Sequence, residues 1–375
     1  MRFLMLSVVF LCVGCAQPPG REHSPGLSTG KVGNFDVQHN FAVTVPNGAE
    51  GVDIWFAVPN QNDRMQSISD WKVEPAGLPA RMVRDRLGNP FLYLHLDNPE
   101  PGEFHVDTSF KIERYEVNAD LDPSKTRPHT AEELAELSIY LKGSSQSVIN
   151  GDVIAMARKV VGTEKNPVIA SRSIYDAILD HVEYHVKDPK PNVAKTMNPT
   201  GTGNSRLCYA SCTGNCTDFH SLYAAVSRAA GIPTRAVYGS FFKGPLSGVD
   251  KDQSYHCWIE FHAPNLGWIP LDVAVADIFV DSFQANEHSQ PRANLTVANG
   301  YAGPDPKLVN YYFGNLEERR VTWHWGRDLE MVDPRQKGEP LLWNPKAYAE
   351  VDGQAASIVK RKLTYHEIGA TQAAQ

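Results

Sequence analysis

The pattern of apolar residues predicts an α+β protein: a small all-β sandwich, then a larger domain of helices and a β-hairpin. Three observations carry this. Period-two runs such as Val52, Ile54, Phe56 and Val58 fill the first third of the chain. Helical spacings follow from Thr130 onward. A stretch at residues 253–275 alternates on both sides of a Pro264-Asn265-Gly267 turn.

The bulk properties set the frame. With 375 residues and 42% hydrophobic content the chain can bury two cores. Its formal net charge is −7, without a block of like charge, so nothing points to nucleic acid. Met1-Arg2 precedes an apolar run from Phe3 to Val13 that is too short for a stable membrane span. The run ends in Gly14-Cys15, which resembles the bacterial lipoprotein box, with Cys12 departing from the usual leucine. That resemblance implies a signal peptide over 1–15, lipidation of Cys15 and attachment to a membrane. Ala16 after the cysteine resembles outer-membrane routing, with the domain facing the periplasm. An ordinary cleaved signal peptide is the alternative, and either one exports the protein. Residues 16–33, rich in Pro, Gly and Ser, read as a flexible tether.

Residues 34–118 are expected to form the β-sandwich. Leu92, Leu94 and Leu96 alternate, as do Phe104, Val106, Thr108, Phe110 and Ile112; Pro46-Asn47-Gly48 and Gly88-Asn89-Pro90 mark turns. It holds no catalytic cluster, so interaction or spacing is its expected work. A linker, 119–129, leads to a domain over 130–355, and 356–375 is expected to be a tail. Thr130 and Glu133 make a capping box ahead of Leu134, Leu137 and Leu141. Val153, Ile154, Ala157 and Val161 give a second helix. Pro167 opens a third, with Ile174, Ile178 and Val182 on one stripe. A loop is expected from 187 to 214.

Phe219, Leu222, Tyr223, Val226 and Ala230 then define a helix that Gly231 ends. Cys216 falls at its start. Free backbone N–H groups and the helix dipole favour a thiolate there, and the Cys216 N–H can point at an oxyanion. A thiolate that attacks an amide needs an acid for the leaving amine, and a group that orients the acid. The hairpin supplies both. Pairing its strands about residue 264 sets His256 opposite Asp272, and Trp258 opposite Pro270. Cys257 has the other parity and is expected to face away from His256.

These residues carry a family resemblance. A cysteine heading a helix that ends in Gly231-Ile232-Pro233-Thr234-Arg235, then His256-Cys257-Trp258-Ile259-Glu260, then Trp268-Ile269-Pro270-Leu271-Asp272, resembles the core of transglutaminase-like thiol enzymes. The match is firm over about residues 165–280. Residues 310–331 resemble a C-terminal stretch of envelope members less specifically. The resemblance implies a papain-like fold, with helices packed on an antiparallel sheet. It implies Cys216 as nucleophile, His256 as general acid/base and Asp272 as its orienter, with no cofactor or metal. The expected substrate is a protein or peptide amide. Hydrolysis and transfer to an amine both fit, and an idle binding or scaffold module of the envelope is the rival class.

Duller readings stand beside these. Cys216 could be a buried hydrophobe, His256 a core histidine and Asp272 a sheet-end residue. Trp258 and Trp268 read as core or groove wall. Asp218 suits the helix dipole, and Arg235 an ion pair. His220, four after Cys216, shares its face but reads first as packing. In an oxidising compartment one bridge among Cys208, Cys212 and Cys257 is possible. A zinc site of Cys208, Cys212 and Cys216 with His220 or His256 is rival chemistry, on an unusual spacing. Tyr184 is a candidate for the second oxyanion donor.

Overall fold

The computed structural model describes residues 25–75, 77–184, 202–244, 247–248, 255–282, 302–342 and 347–369. The signal segment, Cys15 and residues 16–24 of the expected tether lie outside the described residues. Among the described residues, no helix is long and apolar enough to cross a membrane.

The all-β part begins with β1 (Leu27–Val45), β2 (Gly51–Ala57), β3 (Gln66–Glu74), β4 (Ala80–Arg84), β5 (Pro90–Asp97) and β6 (Gly102–Ala119). Short helices follow at Ala131–Glu136 (α1), Gly151–Val161 (α2) and Pro167–His181 (α3). Next come β7 (Glu183–Tyr184), a helix at Ser205–Ser211 (α4), β8 (Thr213–Gly214) and the helix Cys216–Ala229 (α5). The second half contains β9 (Thr234–Phe241), β10 (Tyr255–Ala263), β11 (Gly267–Leu271), a single helical turn Val273–Ala276 (α6) and the helix Pro306–Tyr311 (α7). It closes with β12 (Asn315–Leu316), β13 (Arg320–Trp325), β14 (Ala347–Val351), β15 (Gln354–Ala355) and β16 (Val359–Glu367).

The fold is α+β, as the alternation and helical periods require. One sandwich sheet runs β12-β6-β1-β16 with β3 on β6; the other runs β15-β14-β2-β5-β4. Phe41, Val43, Ile54, Phe56, Leu94 and Val106 from the two sheets fill the space between them. The expected strand positions hold: Val52, Ile54 and Phe56 are fully buried on β2.

Two expected boundaries move, and for one physical reason. Residues 356–375 were expected to trail as a tail, yet β16 pairs antiparallel with β1 from Val359↔Val43 to Glu367↔Phe35. β14 likewise pairs with β2. At the other end, the expected tether is strand from Leu27, which pairs with Ala119 on β6. In each case a sheet edge from elsewhere in the chain takes up the backbone N–H and C=O groups. Such a partner leaves no mark in local composition.

The second core lies under the sheet β11-β10-β9-β13. α2, α3 and α5 pack on it through Val153, Ile174, Ile178, Phe219, Leu222, Ile259 and Phe261. The segment expected to be a loop up to Gly214 contains α4, whose N-cap Asn204 accepts from the Leu207 N–H. α4 ends at Cys212 in the left-handed region, φ 57°.

The two halves share a core. Phe35, Phe110 and Tyr365 of the sandwich pack with Phe242, Val321 and Trp323 of the second half. Polar side chains do the rest. Gln66 exchanges hydrogen bonds with the backbone of Thr322, at 2.9 Å each way. Asn89 does the same for Trp325, at 2.7 and 2.8 Å. β13 is the outer strand of its sheet, and the sandwich satisfies its free edge.

Leu363 is buried within this shared core. Leu363→Ala is expected to cost about 2–5 kcal/mol in chemical denaturation. A dispensable tail would tolerate the change.

Candidate active site

The site is built at the N-terminus of α5. Asn215 caps it, its side chain accepting from the N–H groups of Thr217 and Asp218, and Asp218 returns a bond to the Asn215 N–H at 3.0 Å. The Asp218 carboxylate also takes the N–H groups of Gly203 and Asn204, at 3.1 and 3.0 Å. This fixes the chain before α4 against the start of α5. Gly203 has φ 74° and Gly214 lies so close to Asp218 that a Cβ would meet it at 2.6 Å. Cys216 is the first residue of the helix, 6% exposed. The cap leaves its N–H without an intrahelical partner.

His256 and Asp272 come from the hairpin, but in a register shifted by two residues from the expected one. Ile259 faces Leu271, Glu260 faces Pro270 and His262 faces Trp268, so the strands pair about residue 265. Asn265 takes φ 69° and Gly267 φ 84° there, the left-handed conformations that a tight turn needs. Trp258 therefore does not oppose Pro270, and Asp272 does not face His256 across a ladder. A shift of two preserves parity. Asp272 also lies one residue past β11, where it caps α6 by accepting from the Val275 N–H at 3.0 Å. From there its Oδ2 meets His256 Nε2 at 2.6 Å. That leaves His256 Nδ1 for the Cys216 thiol, which lies in hydrogen-bonding reach of the ring.

The structure thus brings Cys216, His256 and Asp272 together, and adds three groups. Cys257, expected to face away from His256, lies in the helix-covered core together with Cys216. Its thiol neighbours that of Cys216, and both sulfurs lie near the Thr217 hydroxyl, at 3.8 and 3.9 Å. His220 places Nδ1 3.4 Å from the Cys257 sulfur and Nε2 3.4 Å from Asp272 Oδ1, the latter within ion-pair reach. Arg320, on β13, bonds Asp272 Oδ2 at 2.5 Å. The i, i+4 spacing from Cys216 was a signal for His220. Nothing local marks Arg320.

The electrostatics follow from burial and pairing. The Cys257 hydrogen bond, with the bond and positive charge of His256, holds the Cys216 thiol well below its usual range despite burial. Burial, then the hydrogen bond and charge of Cys216, push the Cys257 thiol well up. Burial works against a charged His256, but the Asp272 carboxylate overrides it and raises the imidazole. Burial would likewise raise Asp272, yet the charges of His256 and Arg320 hold it well below the usual carboxylate range. Such an arrangement can keep a thiolate–imidazolium pair away from bulk water.

The remaining expected residues fall in supporting places. Arg235 pairs with Glu260 at 2.6 Å, its guanidinium lying 4.3 and 4.2 Å from the ring centres of Trp268 and Trp325. The ion pair is the expected one. Trp258 is buried with Met65, Val117 and Leu316. The Tyr184 ring packs on Phe219, and its N–H bonds Asp277 at 2.8 Å. Cys208, Cys212, Cys216 and Cys257 are all free thiols. Among the described residues, no three His, Cys, Asp or Glu side chains are placed to hold a metal ion.

Residues 154–273 match the family model of the transglutaminase-like superfamily, a span that contains Cys216, His256 and Asp272. An uncharacterized protein of Haemophilus influenzae is 22% identical over 341 residues, which are 85% of this chain and 86% of that protein. A crystal structure of a candidate cysteine protease from Cytophaga hutchinsonii is similar with a TM-score of 0.55. It is 15% identical, over 91% of this chain and 93% of its own, and its likeness concerns the fold.

Cys257→Ala removes the donor that bonds the thiolate. Alkylation of Cys216 in mildly acidic buffer is expected to slow by about tenfold. An unchanged rate constant across pH would show that the Cys257 bond does nothing for the thiolate.

Proposed function

We propose, since residues 154–273 match the family model of the transglutaminase-like superfamily, that the chain is a thiol enzyme acting on amide bonds through Cys216, His256 and Asp272. The observation that carries this reading is the single buried cluster in which Cys216 meets one edge of His256 and Asp272 Oδ2 the other, at 2.6 Å.

The chemistry follows from these positions. The Cys216 sulfur anion attacks the carbonyl carbon of an amide, and the carbonyl π electrons move to oxygen. The Cys216 N–H and the positive end of α5 receive that oxyanion. As the tetrahedral species collapses, the C–N bond breaks and His256 Nδ1 gives its proton to the leaving amine. A thioester on Cys216 remains. His256, now neutral, takes a proton from water or from an acceptor amine, which attacks the thioester and releases the sulfur. Water gives a peptidase or amidase; an amine gives acyl transfer. Asp272 keeps Nε2 protonated and stabilises the imidazolium, without taking the proton itself.

The proposed setting is the cell envelope, with a lipid on Cys15 tethering the domain to a membrane and the periplasm supplying protein or peptide substrates. The rival reading, an idle scaffold, draws support from the 6% exposure of Cys216. Labelling with iodoacetamide separates the two. The enzyme reading expects Cys216 to react in mildly acidic buffer and His256→Ala to slow that reaction by about 10²-fold or more. Mass spectrometry of a glutamine peptide mixed with an amine then tells cleavage, deamidation and cross-linking apart. A Cys216 that reacts only as an ordinary thiol, whatever residue 256 is, would leave the scaffold.

A further inference from the structure

We propose that Arg320 is a positioning residue for the Cys216–His256 pair, acting through the carboxylate of Asp272. It stands outside the span that matches the family model. The inference rests on the reading of Cys216, His256 and Asp272 as the reacting groups.

Arg320 is fully buried at the first position of β13. Its guanidinium is used as a fork. Nη1 donates to Asp272 Oδ2 at 2.5 Å, and Nε donates to Glu317 Oε2 at 2.7 Å. Its plane lies 4.0 Å from the centre of the Phe241 ring, and that ring packs against His256 at 6.1 Å. Glu317 is held in turn by the Tyr312 hydroxyl at 2.5 Å, and the Tyr312 carbonyl accepts the Asp272 N–H at 2.9 Å. Asp272 is therefore fixed at its backbone and at both carboxylate oxygens.

The charge is the second part of the argument. A fully buried carboxylate protonates unless cations face it. The side chains that face Asp272 are His256 from β10, His220 from α5 and Arg320 from β13. Lys243, just past β9, lies 5.5 Å from the Phe241 ring centre, and burial together with the Arg320 charge lowers its ammonium to about 8. Arg320 carries a charge that does not depend on pH in the working range. It keeps Asp272 anionic while His256 gives up and regains its proton. His256 could not do so by itself, because it loses its charge when it deprotonates.

A buried arginine between two carboxylates also holds a fold together, so the test must read more than activity. Alkylation of Cys216 is measured against pH in the full chain, for wild type, R320Q and R320K, each checked for cooperative unfolding. We expect R320Q to lower the rate constant in mildly acidic buffer by about tenfold or more. R320K keeps the charge but not the fork, and moves it the same way by less. In a D272N background, R320Q should add little, since the arginine acts through that carboxylate. A folded variant with the wild-type profile would overturn the proposal, as would an R320Q effect undiminished by D272N. If R320Q does not fold, R320K alone carries the comparison under the same criteria. Failure of the enzyme reading looks different: wild type itself then lacks His256-dependent reactivity.

Discussion

The buried carboxylate of Asp272 is the constraint on which the rest of the structure depends. It sits at 0% exposure and is contacted by His256 at 2.6 Å, Arg320 at 2.5 Å and His220 at 3.4 Å. Removing a charge from water costs several kcal/mol unless partners and hydrogen bonds replace the hydration. Elements far apart in the chain contribute to that replacement. The hairpin brings His256, α5 brings His220, β13 brings Arg320, and the Val275 N–H fills the remaining lone pair. The Cys216 thiol, held well below its usual range, stands at the end of this chain of pairings. Stability and reactivity are therefore set by the same contacts.

The sandwich acquires a physical role from this arrangement. β13 is an outer strand, and its exposed edge would be free to shift. Gln66 and Asn89 reach across from the sandwich and bond its backbone. Asp63, itself paired with the buried Arg114 at 2.9 Å, accepts from the Thr322 hydroxyl at 2.6 Å. The strand that presents Arg320 to Asp272 is thus fixed by the first domain. The sandwich, expected to serve interaction or spacing, braces one wall of the site.

Much of this was legible in the sequence because it is local. The stripe from Phe219 to Val226 and the stop at Gly231 are close neighbours in the chain, and α5 follows them. The three triad positions were visible as residue types at fixed intervals. The hairpin register was not, because either Pro264 or Asn265 could serve as the turn's centre. The left-handed φ of Asn265 decides it. Since the discrepancy is two residues, the carboxylate kept its face. The return of β16 to β1 joins residues more than three hundred positions apart, and Arg320 reaches Asp272 across 48. No periodicity records a partner that far away. His220 and Cys257 lay in between: their positions were readable, but their convergence on the site depends on how α5 lies across β10.

The central claim is that Cys216 carries its charge as one half of an ion pair with His256. The ultraviolet absorbance of a thiolate reads this directly, as the difference between wild type and Cys216→Ala during a pH titration. An ion pair predicts absorbance that persists well below the range where an ordinary thiol ionises, and that His256→Ala abolishes there. Absorbance that grows in only at alkaline pH, as for an isolated cysteine, would contradict the account.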